Sequence, residues 1–127
     1  MATPNKATTK GPKTEHVIDA SGQILGRLAT RVAILLQGKN TPDYLPRNAG
    51  NTIVMVKNAS KIKLSGKNKA EQKVYHHHTG YMGHLKTGKY LQIMEKDPSR
   101  VIQMAVFNML PKNWLRQRRM NRLKITA

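Results

Sequence analysis

Apolar positions first become regular at Val17. HVIDA (His16–Ala20) sets Val17 and Ile18 in a short strand. The following SGQILGRLATRVAILLQGK spaces Ile24, Leu25, Leu28, Val32, Leu35 and Leu36 by one, three and four residues, the stripe of a helix packed on a sheet. Ser21 is its expected N-cap and Gly38 its left-handed stop. NTPDYLPRNAGN (Asn40–Asn51), with Pro42, Pro46 and Gly50, predicts a loop. TIVMVKN then holds Ile53, Val54, Met55 and Val56 without alternation. Such a run predicts a strand covered on both faces, and the order strand, helix, strand predicts a parallel pair with a right-handed connection.

Further on, KIKL (Lys61–Leu64) alternates charged and apolar, predicting a half-exposed or edge strand, and SGKNKAEQK predicts a basic turn. Tyr90–Lys96 predicts a short helix. A longer one runs from Pro98 to Leu110, with Asp97 as N-cap, Pro98 at the first helical position and Pro111 beyond its end. Val101, Ile102, Ala105, Val106, Met109 and Leu110 form its buried stripe. Trp114–Leu123 predicts a last helix held by Trp114, Leu115, Met120 and Leu123, with Arg116, Arg119 and Arg122 near one turn apart on another face. The terminal KITA is a candidate closing strand.

Charge changes the picture from a small α/β chain to a polyanion binder. In 127 residues there are 23 Lys and Arg against 6 Asp and Glu, a formal charge of +17. Such a field selects nucleic acid first. No apolar run reaches the roughly 18–20 residues of a spanning helix, so no membrane partner is expected. Without cysteine there are no disulfides or thiolate metal sites. The length predicts one domain over residues 16–127, preceded by a flexible basic tail over residues 1–15 and closed by a basic segment, 112–127. The tail's Lys6, Lys10 and Lys13 stand among breakers with no apolar face. A transit peptide is the competing reading, opposed by the absence of arginine.

The charge is densest from Met109 to Lys124, where Lys112, Arg116, Arg118, Arg119, Arg122 and Lys124 occur with no carboxylate among them. Like charges this close call for phosphates, and the planar arginine fork matches two phosphate oxygens or stacks on an unpaired base. A solvated helix face is the alternative, but such a face normally mixes both signs. With all four arginines turned outward, changing them to Gln is expected to leave stability unchanged or higher while RNA affinity falls.

Val74–Lys86, VYHHHTGYMGHLK, carries the other chemistry. A metal reading needs His76, His78 and His84 on one side, since neighbouring strand residues alternate faces, and no carboxylate lies near in sequence. The preferred reading is a glycine-permitted loop against RNA. Gly80 and Gly83 allow close approach, His76, His77, His78 and Thr79 donate hydrogen bonds, and Tyr75 and Tyr81 stack. A purely structural turn is the third possibility. Ser21–Arg27 has the location of a phosphate loop, but three residues separate Gly22 from Gly26 and Arg27-Leu28 follows, so the spacing fails. Asp19 lacks a partner base, which argues against an enzyme and for a cap or turn residue. Arg27, Lys39, Lys61, Lys67 and Lys86 complete the expected RNA-facing set. No metal or cofactor is expected.

VIDASGQILGRLAT, VYHHHTGYMGHLK, RVIQMAVFNMLP and RMNRLKI, in this order, resemble the universal large-subunit ribosomal protein family L-thirteen in its bacterial form, over roughly His16–Ala127. The resemblance implies a three-layer α/β/α fold with a small, mainly parallel sheet and basic terminal extensions. It also implies a non-enzymatic role: binding large-subunit ribosomal RNA during early subunit assembly, beside neighbouring ribosomal proteins and without homo-oligomerisation. The expected location is the ribosome of the cytoplasm, an organellar ribosome being the other setting. A free RNA-binding regulator of messenger RNA is the alternative the same surface supports. Phe107 and Asn108 stand where the family pattern has Lys and Gly, Asn113 and Trp114 replace a Gly-Pro-like turn, and the chain stops soon after Ile125.

Overall fold

The computed structural model describes residues 13–127, so the first twelve residues of the expected tail lie outside the described residues. The tail reading does not extend to its last residues. The Thr14 carbonyl accepts from Ile53 N at 2.8 Å, and Glu15 opens strand β1 (Glu15–Asp19).

Three parallel strands form the main sheet in the order β1, β2 (Ile53–Lys57), β5 (Leu123–Ile125). The register pairs Val17 with Met55 and Val54 with Leu123. The α/β class and the small, mainly parallel sheet are therefore as the sequence implies. Helix α1 (Leu25–Gln37) and helix α4 (Pro98–Met109) pack on each other, and α1 also meets β2. Leu28, Val32 and Leu36 of α1, Val54 and Val56 of β2, and Val101, Ile102 and Val106 of α4 are fully buried together. Each such side chain contributes about 1.5–3 kcal/mol.

The uninterrupted apolar run of β2 does not have equal cover on both faces. Val54 and Val56 point into the core, while Ile53 and Met55 are half-buried beside Val17, which is 62% exposed. Ser21 does not cap α1. Its N–H donates to Asp19 Oδ1 at 3.0 Å in a turn, and Ile24, extended and bridged to Lys63, is the residue that precedes the helix. Gly38 ends α1 in the left-handed conformation as expected, its N–H and that of Lys39 returning to Leu35 O and Ile34 O.

KIKL is not a strand. Asn58 adopts φ 58° and starts a 3-10 turn over Ala59–Lys61. Beyond it only the Lys63 bridge remains, with Ile62 buried. The basic stretch after it contains a one-turn helix, α2 (Lys69–Gln72). Strand β3 (Val74–His78) and strand β4 (Leu85–Lys89) form a separate antiparallel hairpin. α3 spans Tyr90–Lys96, and α4 starts as expected, with Asp97 Oδ1 accepting from Ser99 N at 3.1 Å and Pro98 at the first position. Met109 leaves the expected stripe. It is 42% exposed and its sulfur accepts from the Thr30 hydroxyl at 3.3 Å.

Candidate nucleic-acid interface

The basic C-terminal segment folds as helix α5 (Leu115–Met120), and its continuation through Arg122 leads into β5. Leu115 is buried and Met120 half-buried on the core, as the anchoring pattern predicts. The helix expected to reach Leu123 ends at Met120, however, and Leu123 is half-buried in β5 through its pairing with Val54. Trp114 is not an anchor: it is 69% exposed, with the Arg118 guanidinium over its ring at 4.7 Å. Arg116 lies over the Phe107 ring at 4.1 Å, its Nε and Nη2 buried without a hydrogen-bond partner among the described residues.

Arg119 and Arg122 depart furthest from expectation. Arg119 is 1% exposed, and its Nη2 donates to Asn48 O at 3.1 Å and Pro46 O at 3.5 Å. Arg122 Nη1 donates to Thr52 O at 3.1 Å, and its Nη2 donates to Leu36 O at 3.0 Å and to Ala49 O. Every hydrogen-bond partner is a backbone carbonyl. One of these, Leu36 O, belongs to the end of α1, where helix carbonyls carry partial negative charge. The guanidiniums therefore satisfy the backbone of the 40–52 loop and are not turned outward. Burial, and then the neighbouring Arg119 charge, lower the Arg122 pKa from its ordinary value. Gly50, at φ 82°, completes the enclosure, because a Cβ there would lie 3.4 Å from Arg122 Nη1 and from Leu36 O. A sequence signal for Arg119 existed: it stands four residues after Leu115 and so shares the buried face of α5.

The histidine stretch forms the projecting hairpin. His76 pairs with Thr87, His77 with Lys86 and His78 with Leu85, and all three imidazoles are exposed. At the tip, Gly80 N donates to His78 Nδ1 at 2.9 Å, which makes Nε2–H the donor of the neutral His78 ring. Gly80 and Gly83 have φ 91° and 70°, and Thr79 N returns to His84 O at 3.3 Å. Tyr81 is 75% exposed, Met82 96%, and the Tyr81 ring meets His84 edge-on at 6.1 Å. Among the described residues, no group of three or more His, Cys, Asp or Glu is arranged to hold a metal ion. Tyr75 is half-buried at the base of this hairpin, with Lys73 Nζ 5.5 Å from its ring centre, and burial raises its hydroxyl pKa.

Arg27, Lys39, Lys61, Lys67, Lys86, Lys112, Arg118 and Lys124 are exposed on separate elements, Lys39 lying 6.0 Å from the Tyr44 ring centre. Asp19 is a turn residue, as expected. Asn58 Nδ2 donates to it at 2.8 Å and Ser21 N at 3.0 Å, and these bonds, the Asn58 bond first, lower its pKa. Residues that sequence reasoning missed line a groove between β3, α4 and α5, among them Arg100, Gln103, Gln117 and Asn121. Exposed amides at helical spacing carry no signal until the elements pack.

Outward cations, exposed imidazoles and open aromatic rings on a small α/β scaffold define a polycationic protein built to meet a polyanion. The chain belongs to the ribosomal protein L13 family, whose model matches residues 13–127. It is 51% identical to the large ribosomal subunit protein uL13 of Clostridioides difficile (strain 630) over 112 residues, 88% of this chain and 78% of that protein. It is 43% identical to the uL13 protein of Chloroflexus aurantiacus over 127 residues, covering 100% of this chain and 88% of the relative. It is 49% identical to that of Thermotoga petrophila over 112 residues, 88% of this chain and 74% of the relative.

Proposed function

We propose that this protein is a structural constituent of the large ribosomal subunit, which binds large-subunit ribosomal RNA and supports early subunit assembly. The observation that carries the reading is a net charge of +17 on a fold whose family model matches residues 13–127. Its role is non-enzymatic. It acts as a single copy in the cytoplasmic ribosome, beside neighbouring large-subunit proteins.

The contacts divide by chemistry. Lys112, Arg118, Lys124, Arg27, Lys39, Lys61, Lys67 and Lys86 neutralise phosphates and release counterions. His76, His77, His78, Thr79 and Gly80 bring the hairpin to the backbone, and Tyr81 and Trp114 offer exposed rings to unpaired bases. Arg119 and Arg122 are assigned instead to holding the loop that the RNA-facing surface stands on.

Sedimentation of the native protein tests the reading, and it should travel with large subunits. Its absence from them, together with tight binding to a messenger RNA, would transfer the role to a free regulator. In a salt titration with a large-subunit RNA fragment, the logarithm of affinity should fall against the logarithm of salt by about 0.7–0.9 per phosphate neutralised. A flat titration would remove the electrostatic account.

A further inference from the structure

We propose that the groove between β3, α4 and α5 receives one unpaired nucleotide of the RNA, its base lying against Tyr75 and Phe107 and its phosphate near Arg100. The inference rests on the RNA-binding reading above and adds a site within it. The groove is an open cleft of about 630 Å³, within the range of pockets that hold small organic groups.

Each of its two rings has a cation that is not itself part of the lining, Lys73 at 5.5 Å from Tyr75 and Arg116 at 4.1 Å from Phe107. Each cation fixes a ring and adds positive charge beside it. The polar lining suits a base edge. Gln117 Nε2 donates to Asn121 Oδ1 at 3.2 Å, which leaves Gln117 Oε1 as an acceptor and Asn121 Nδ2 as a donor. The Gln103 side chain makes no hydrogen bond to the other described residues.

Asp97, the carboxylate in the lining, already accepts from Ser99 N as the cap of α4. An acidic peptide would use Arg100 and His76 but leave the amides and rings without partners. A paired base cannot present its edge and face to the groove, so the occupant is a nucleotide outside a duplex. Phe107 and Asn108 lie in the lining beside Gln117 and Asn121.

The test uses the full chain and two RNA probes of equal charge: a twelve-nucleotide single strand with 2-aminopurine at its centre, and a twelve-nucleotide hairpin whose four-base-pair stem is closed by a compact tetraloop with stacked bases. Phe107→Lys is the informative variant, because it removes the ring and adds a positive charge. Asn121→Ala removes one donor to the base edge. The parent should perturb 2-aminopurine fluorescence and prefer the single strand. Phe107→Lys should lose about tenfold in single-strand affinity, the scale of one lost base stack, while hairpin affinity holds or rises. Asn121→Ala should weaken the single strand alone. If Phe107→Lys binds both probes more tightly, or the parent shows no single-strand preference while binding the hairpin well, the groove is not a nucleotide site and the RNA reading stands. If the parent binds neither probe at low salt, both readings fail together.

Discussion

Replacing Arg122 with Ala separates structural from RNA-binding arginines. Three backbone carbonyls, Thr52 O, Leu36 O and Ala49 O, lose their charged donor at once. A hydrogen bond to a charged group contributes about 1.5–3 kcal/mol, so three at the lower end give roughly 4.5 kcal/mol. The side chain is only partly buried, which reduces this to about 3 kcal/mol through solvent screening. At roughly 3–5 °C per kcal/mol for a domain of this size, Tm should fall by about 10 °C or more. Circular dichroism against temperature measures it, with Arg118→Ala as the comparison, since Arg118 stacks on exposed Trp114 and should move Tm by no more than about 2 °C. Trypsin adds a local readout: release of the 40–52 loop should speed cleavage after Arg47 before global unfolding. An Arg122→Ala protein that melts with the parent and resists trypsin equally would show that the carbonyls do not depend on the guanidinium.

Changing Arg116, Arg118, Arg119 and Arg122 together to Gln should lower stability, contrary to the expectation from charge alone, and a melting curve at or above the parent's would restore that expectation. Asn58→Gly keeps the left-handed backbone but deletes the bond to Asp19. The Asp19 pKa, measured by NMR titration, should then rise toward its ordinary value of 3.8. In the parent, the stabilisation from this carboxylate is present above 3.8 and is lost as pH falls through the lowered folded value. An unchanged Asp19 titration would mean that Asn58 is not its main partner. Asp97→Ala removes the cap of α4 and should cost about 1 kcal/mol in chemical denaturation; no change would mean that Pro98 alone fixes the helix start. Replacing His76, His77 and His78 with Ala should weaken binding to a large-subunit RNA fragment while a chelator leaves binding intact, and loss of binding on chelation would revive the metal reading.

The sequence by itself determined whatever depends on local spacing or total charge. Leu25, Leu28, Val32 and Leu36 recur at the helical period and are buried. Asp97-Pro98 starts α4 and Gly38 stops α1 because capping is settled within a few residues. The charge needed no fold to indicate a polyanion partner, and the turn was legible from Gly80 and Gly83, although His76, His77 and His78, read as part of that loop, lie on strand β3.

Only the tertiary structure decided which cations face outward. Arg119 and Arg122 carry the same charge as Arg118, yet they lie against carbonyls 70 or more residues away in sequence, and no local pattern encodes which loop backbone needs donors. Strand β4 was likewise invisible, since Lys86, Thr87 and Gly88 do not alternate apolar and polar, and its extended form comes from pairing with β3. The groove of Tyr75, Phe107, Gln117 and Asn121 exists only where three elements distant in sequence pack together. Period and charge are properties of neighbouring residues, whereas the direction of a long side chain is set by whichever unsatisfied group the fold brings within its reach.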